Sequence, residues 1–166
     1  MHLEDSLAGV AVVSRFAGPI VDVGSGGGAP GIPLAAALPD RRVTLLEASE
    51  RKCAFLERAA AAFPNVSVVR GRAEEHEVER YGIAVAKALA TPPVAAEWCL
   101  PLVRPGGAVI LWVGPTAEAD AAARAACHLN AELDFSEPGF FVLRKRGSTP
   151  AGFPRRAGVA RKRPLG

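Results

Sequence analysis

The sequence predicts an α/β fold on a mostly parallel seven-stranded sheet that ends in an antiparallel hairpin. Three observations lead there. Short β-branched runs alternate with Ala-rich stretches of helical spacing, the pattern of repeated strand–helix units. A cluster of glycines stands directly behind the first apolar run, in VDVGSGGGAPGIP over residues 21–33. Near the end, two β-rich runs flank Glu137-Pro138-Gly139, which suits a hairpin and is too short for a crossover.

The elements follow in order. A segment from His2 to about Phe16 reads as an opening amphipathic helix, and PIVDVG as the first strand. After the glycine turn, IPLAAAL is helical and RVTLLEA is the second strand. SERKCAFLERAAAAF has apolar residues at helical spacing, with Ser49 as its cap. NVSVVRG and GIAVAKAL are the third and fourth strands; a helix around VAAEWCLPLV leads to GGAVILWVG, the fifth. PTAEADAAARAACHL is helical, with Pro115 suited to its first turn, and AELDFS and FFVLRKR form the closing hairpin. Residues 1–146 are expected to make one domain, and 147–166 a basic tail, rich in Gly and Pro, that stays irregular until something binds it.

Composition narrows the class of protein. A length of 166 residues and 49% hydrophobic content fit one well-packed domain. The net charge of +3 hides an asymmetry. From Arg144 onward the chain holds eight of its 20 Lys+Arg and no acid, leaving 12 basic against 17 acidic residues in the remainder. A mildly acidic body with a basic tail is an arrangement for binding polyanions. Cys53, Cys99 and Cys127 are odd in number and widely spaced, so they read as small buried hydrophobes in a reducing compartment. The three histidines are scattered and no metal-ligand spacing is present. MHLEDSL carries acids where a secretory signal needs positive charge, and no apolar run reaches membrane-spanning length. A cytoplasmic monomer with no membrane partner is expected.

In an open parallel sheet, ligands sit beyond the carboxyl ends of the strands, where the topology switches direction. Gly24, Gly26 and Gly28 fall at the end of the first strand and let a ligand rest on the main chain. A phosphate-cradling P-loop fails, because Ile32-Pro33 stand where Lys and Ser/Thr are needed. A dinucleotide fingerprint survives in its looser form, Gly24-x-Gly26-x-x-Ala29. The third reading is S-adenosylmethionine, whose signature is the acid of Asp22-Val23-Gly24-Ser25-Gly26-Gly27-Gly28. Asp22 can reach the cationic methionine end through water, while glycine N–H groups meet its carboxylate. Glu47 closes the second strand, where an acid accepts both ribose hydroxyls, and Arg72-Ala73-Glu74 ends the third, placed to cover the adenine. Glu47 would serve NAD equally well. A dehydrogenase, however, needs a second domain for its substrate, and this chain has no room for one.

The same residues resemble a named family over nearly the whole chain: the small-subunit (16S) ribosomal RNA guanine-N7 methyltransferases, also called glucose-inhibited division protein B. HLEDSL, VDVGSGGGAPGIPLA, VTLLEASERKCAFLE, VVRGRAEE, EWCLPLVRPGG and FPRRAGVARKRPL each look like that family's stretches, in its order. The resemblance implies a class I S-adenosylmethionine-dependent methyltransferase fold of Rossmann-like type. It also implies cofactor contacts at Gly24, Ala29, Ala73, Glu74 and Lys87, and a place for His2 and Asp5 at the border of the site. Lys87 stands where the family usually has Arg, Ala29 replaces a larger apolar residue, and Gly82 stands where an Asp commonly precedes the fourth strand. Members carry a helical extension ahead of the segment at which this chain begins, so a truncated start or a shortened member is expected.

Guanine N7 presents a lone pair and no proton, so the implied reaction needs no general base, and no catalytic acid or base is assigned. Thr91-Pro92-Pro93 lacks the following aromatic residue of amino-methylating enzymes and reads as a helix start. The expected RNA contacts are Arg144, Lys145 and Arg146 on the last strand, with Arg155, Arg156, Arg161, Lys162 and Arg163 in the tail. Removing Arg155 and Arg156 together is expected to weaken RNA binding and spare cofactor affinity. Rival readings are a methyltransferase with a non-RNA substrate, a dinucleotide-binding module, and a non-catalytic RNA-binding relic.

Overall fold

A computed structural model describes residues 2–166. The chain runs α1 (His2–Val13), β1 (Ile20–Val23), α2 (Gly31–Ala37), β2 (Val43–Glu47), α3 (Glu50–Ala60), β3 (Val66–Arg70) and β4 (Tyr81–Lys87). It continues through α4 (Pro92–Cys99), β5 (Val103–Trp112), α5 (Ala119–Cys127), β6 (Ala131–Glu137), β7 (Phe140–Lys145) and α6 (Val159–Lys162). The seven strands form one sheet in the order β3-β2-β1-β4-β5-β7-β6. Pairings from β3 to β5 are parallel, and β7 pairs antiparallel with both β5 and β6. The expected sheet, with its closing hairpin, is therefore present.

Period-two alternation divides the core. Val21, Val23, Ala84 and Ala86 face one side, where they pack with Ala96, Cys99 and Leu102 around α4 and with Ala122 and Ala125 of α5. Ile20, Ile83, Val85 and Ile110 face the other, where Val13 of α1, Leu34 of α2 and Leu56 of α3 cover them. Strands buried on both faces read as near-continuous apolar runs, which is what helices on both sides of a parallel sheet require.

Several local expectations are met and several are corrected. Ser49 caps α3 by accepting from Lys52 N, and Pro92-Pro93 open α4. Pro115, by contrast, lies ahead of α5, whose N-cap is Glu118. Cys53 and Cys99 are buried, but Cys127 is exposed, because it lies on the side of α5 away from the buried Ala122 and Ala125. Gly82 packs so closely that an added Cβ would fall 2.1 Å from the Ala17 carbonyl oxygen, so no side chain fits there. The tail is not irregular. It makes turns and the short α6, whose Ala160 is buried in the α4–α5 cluster. Among the described residues no helix is long and apolar enough to cross a membrane.

Candidate functional site

The strand order reverses between β1 and β4, and a cavity of about 380 Å³ opens there, at the carboxyl ends of β1, β2 and β4. Its floor is Val23 and Gly24 from β1, with Leu46 and Glu47 from β2; Ala73 and Glu74 wall one side, Ala88 and Leu89 another. The position is the crevice that a doubly wound sheet offers to a ligand.

Local sequence explains this floor. Gly24 has φ +70°, and its N–H donates to Leu46 O at 2.8 Å, so the chain turns back over β2 as soon as β1 ends. A side chain at Gly24 would meet the conformation poorly and would lie 2.4 Å from Leu89 Cδ1. Glu47, only 7% exposed, accepts Gly26 N–H and Ser49 N–H, each at 2.9 Å. One carboxylate thus holds both the glycine loop and the start of α3. Each of its oxygens keeps a lone pair for a hydroxyl in the cavity.

Other sequence-derived residues sit elsewhere. Asp22 shares the face of Ile20, not that of Val21 and Val23, so it lies beneath the start of α2 and does not line the cavity. Its Oδ2 accepts Gly31 N–H at 2.9 Å, in a fit so close that a Cβ at Gly31 would stand 2.6 Å from that oxygen. Burial pushes the Asp22 carboxyl up to about 7, against the pull of the Gly31 hydrogen bond. Gly26, Gly28 and Ala29 shape the loop without lining the cavity, and Ala29 precedes a cis Pro30. Lys87 Nζ, at the end of β4, stands 2.5 Å from Asp5 Oδ2 but without hydrogen-bond alignment. The backbone of Asp5 is fixed as well, because its carbonyl accepts from Trp112 Nε1 at 2.9 Å. Lys87 and Asp5 therefore meet beside the cavity and not in it. The side chain of His2 lies outside the described residues.

Among the basic residues, Lys145 is corrected. It is fully buried, and its ammonium donates to Leu100 O at 2.9 Å, Val103 O at 3.2 Å and Thr149 Oγ1 at 2.8 Å. Burial also pushes it down to about 8, so it offers no surface charge to a phosphate. Arg144 pairs with Asp134 at 3.7 Å and lies over Phe16, while Arg146 pairs with Glu132. Arg155 is tied to Glu97. Arg156, Arg161, Lys162 and Arg163 are exposed and form no ion pair with the described residues.

Sequence reasoning missed Lys52, Leu89, Trp98 and Gly158, and it assigned Arg161 to RNA alone; all five line the cavity. Trp98 gave no separate signal: it belongs to the α4–α5 core cluster and lines the cavity as well.

Residues 1–137 match the family model described as GidB, rRNA small subunit methyltransferase G. The chain belongs to that family. It is 38% identical over 186 aligned positions to the ribosomal RNA small subunit methyltransferase G of Synechococcus elongatus, covering 99% of this chain and 77% of that one. With its counterpart from Rubrobacter xylanophilus the identity is 41%, over 91% of this chain and 66% of the other. Among solved structures, the 1,6-didemethyltoxoflavin-N1-methyltransferase of Burkholderia thailandensis, determined with S-adenosylhomocysteine, aligns with a TM-score of 0.68 at 15% identity, covering 87% of this chain and 78% of that one. An S-adenosylmethionine-dependent O-methyltransferase from Thermotoga maritima gives 0.66 at 15% identity, over 89% and 66% of the two chains. The fold is that of class I S-adenosylmethionine-dependent methyltransferases, and S-adenosylmethionine is the cofactor that family and fold indicate. The cavity fits it: a volume of about 380 Å³ beside a fixed strand-end carboxylate suits an adenosyl ligand.

Proposed function

We propose that this protein transfers a methyl group from S-adenosylmethionine to N7 of a guanine in small-subunit ribosomal RNA, acting as a cytoplasmic monomer. The observation that carries the reading is the meeting of two features: the switch-point cavity with Glu47 on its floor, and a basic tail whose Arg161 stands on its wall. A polyanion gripped by Arg156, Lys162 and Arg163 would thereby be held next to the cofactor.

When bound, the cofactor supplies an activated methyl group on a sulfonium. The chain has to align and exclude water. Glu47 would accept the two ribose hydroxyls with the lone pairs that Gly26 and Ser49 leave free. The turn at Gly24 would let the main chain approach the cofactor's methionine portion, and Ala73 and Glu74 would flank its base. Asp22 would act through the loop that it anchors at Gly31, as a positioning residue. Guanine N7 carries no proton, so no side chain is assigned as a base. Positioning of this kind supplies roughly 7–11 kcal/mol when the geometry is good. The target guanine is expected in a single-stranded or loop region, because side chains cannot read N7 within the deep groove of an RNA helix.

The test is transfer of radiolabelled methyl to small ribosomal subunits from cells lacking the modification, with the product mapped by cleavage at N7-methylguanine. A single labelled guanine is expected. Label on protein or small molecules, with none on RNA, would overturn the substrate assignment.

A further inference from the structure

The segment that sequence alone left loose is tied down beside the cavity. Glu97 of α4 is 2% exposed and grips Arg155 as a fork: Nε donates to Oε1 and Nη2 to Oε2, both at 2.5 Å. A buried carboxylate needs such pairing, and Arg supplies the planar match that Lys lacks. Arg155 Nη2 also donates to the Arg163 carbonyl at 2.8 Å, closing residues 155–163 into a loop. That loop delivers two residues to the cavity. Gly158 N–H points to Glu74 Oε1 at 3.4 Å, and the Arg161 guanidinium lies 5.1 Å from the centre of the Trp98 ring.

Trp98 follows Glu97 in the chain and is 9% exposed, and its Nε1–H finds no acceptor among the described residues. Buried indole N–H groups ordinarily have a partner. This one belongs to a residue that lines the cavity, where a bound molecule can provide an acceptor.

We propose that Glu97 and Arg155 latch the tail so that Arg161, stacked on Trp98, forms a wall of the cofactor site, which makes cofactor affinity and RNA affinity depend on one another. The proposal rests on the reading that the cavity holds S-adenosylmethionine. Glu97 and Arg155 are positioning residues; Trp98 and Arg161 touch the ligand. Binding energies coupled through a shared element are reciprocal: whatever cofactor does for RNA affinity, RNA does for cofactor affinity. The paired removal of Arg155 and Arg156 should then no longer spare cofactor binding.

The experiment is calorimetric titration of the full chain with S-adenosylhomocysteine, paired with titration of a fluorescent single-stranded guanine-containing RNA with and without saturating S-adenosylhomocysteine. Arg161→Ala changes an exposed side chain, and Arg155→Lys keeps the charge while losing the fork, so both are expected to fold. Arg42→Ala removes an exposed charge just before β2, at the sheet end away from the cavity, and serves as the control. Arg161→Ala and Arg155→Lys are each expected to weaken S-adenosylhomocysteine binding about 5- to 30-fold. In the parent chain the ligand is expected to tighten RNA binding about 5-fold or more, and in both variants that gain should vanish. Parent and variants binding S-adenosylhomocysteine equally would overturn the wall. Loss in Arg42→Ala of the same size would overturn it too, by exposing a general charge effect. A parent chain that binds no S-adenosylhomocysteine would instead overturn the cavity reading on which the wall depends.

Discussion

Replacing Glu47 with alanine is expected to loosen the site as well as weaken its ligand. Two backbone N–H groups, those of Gly26 and Ser49, are held at 2.9 Å by one nearly buried carboxylate. Hydrogen bonds to a charged group contribute about 1.5–3 kcal/mol each. The freed donors keep some access to water through the cavity, so the lower end applies and the pair amounts to about 3 kcal/mol. For a chain of this size, each kcal/mol moves Tm by about 2–4 °C, which gives a fall of about 6–12 °C. Affinity for S-adenosylhomocysteine should fall as well, by about 10- to 150-fold, from the lost hydroxyl contacts. Thermal unfolding and calorimetric titration of the same sample read both quantities. Glu47→Gln has one acceptor oxygen and turns its NH₂ toward the second N–H, so an intermediate Tm is expected. A fall in Tm below about 2 °C would refute the holding role argued from the two 2.9 Å bonds. Unchanged affinity, with the Tm loss present, would refute the ribose assignment alone.

Asp22→Asn should flatten the acid side of the stability curve. Because the folded carboxyl titrates near 7 and the unfolded one near 4, stability is full below pH 4 and declines as pH rises to about 7, by up to about 4 kcal/mol. Urea unfolding from pH 4 to 8 should show that decline in the parent and not in the variant; parallel curves would refute the raised value. Gly24→Ala should cost about 1–2 kcal/mol in urea unfolding, from its φ of +70°, and an unchanged midpoint would mean the turn rearranges freely. With Arg156, Lys162 and Arg163 exposed and in no ion pair with the described residues, the log of RNA affinity should fall with log salt at a slope near −2. Arg156→Ala/Lys162→Ala should bring that slope to about −0.7, and a slope that stays put would remove the tail from RNA binding.

Much of the site was legible because strand periodicity fixes where a strand ends. Gly24, Glu47, Ala73 and Glu74 sit at carboxyl ends or just past them, and that alone puts them at the cavity. The same alternation could have corrected two expectations. Asp22 differs by one residue from Val21 and Val23, which sends it to the opposite face. Lys145 has the parity of Phe141 and Leu143, both in the α4–α5 cluster, so the sheet carries its stem into the core. Trp98 and Arg161 had no such signal. Whether a helical tryptophan faces core or cavity depends on how α4 is rotated on the sheet. The place of Arg161 depends on a pairing between Glu97 and Arg155, 58 residues apart, which no local pattern encodes.

The two ends of the chain meet the site by the same kind of device. The sheet provides a floor whose central strands, β1 and β4, are buried on both faces. Its rim is different: α1 packs beside α2 and the tail packs on α4, and both are expected to open at lower cost than those strands. Each is therefore pinned by a charged contact at a strand or helix that borders the cavity: Asp5 with Lys87 at the end of β4, and Arg155 with Glu97 on α4. The two pins are not equivalent. Glu97 is buried and bound as a fork, so salt screens that pair little; Asp5 is half exposed and meets a single ammonium without hydrogen-bond alignment. Lys87 carries a charge but no planar fork, so it cannot fix α1 as firmly as Arg155 fixes the tail. Raised ionic strength should therefore loosen the N-terminal side of the rim first. Amide hydrogen exchange would then rise in α1 before it rises in residues 155–163, and the reverse order would mean that burial of Glu97 weakens its pair more than exposure weakens Asp5.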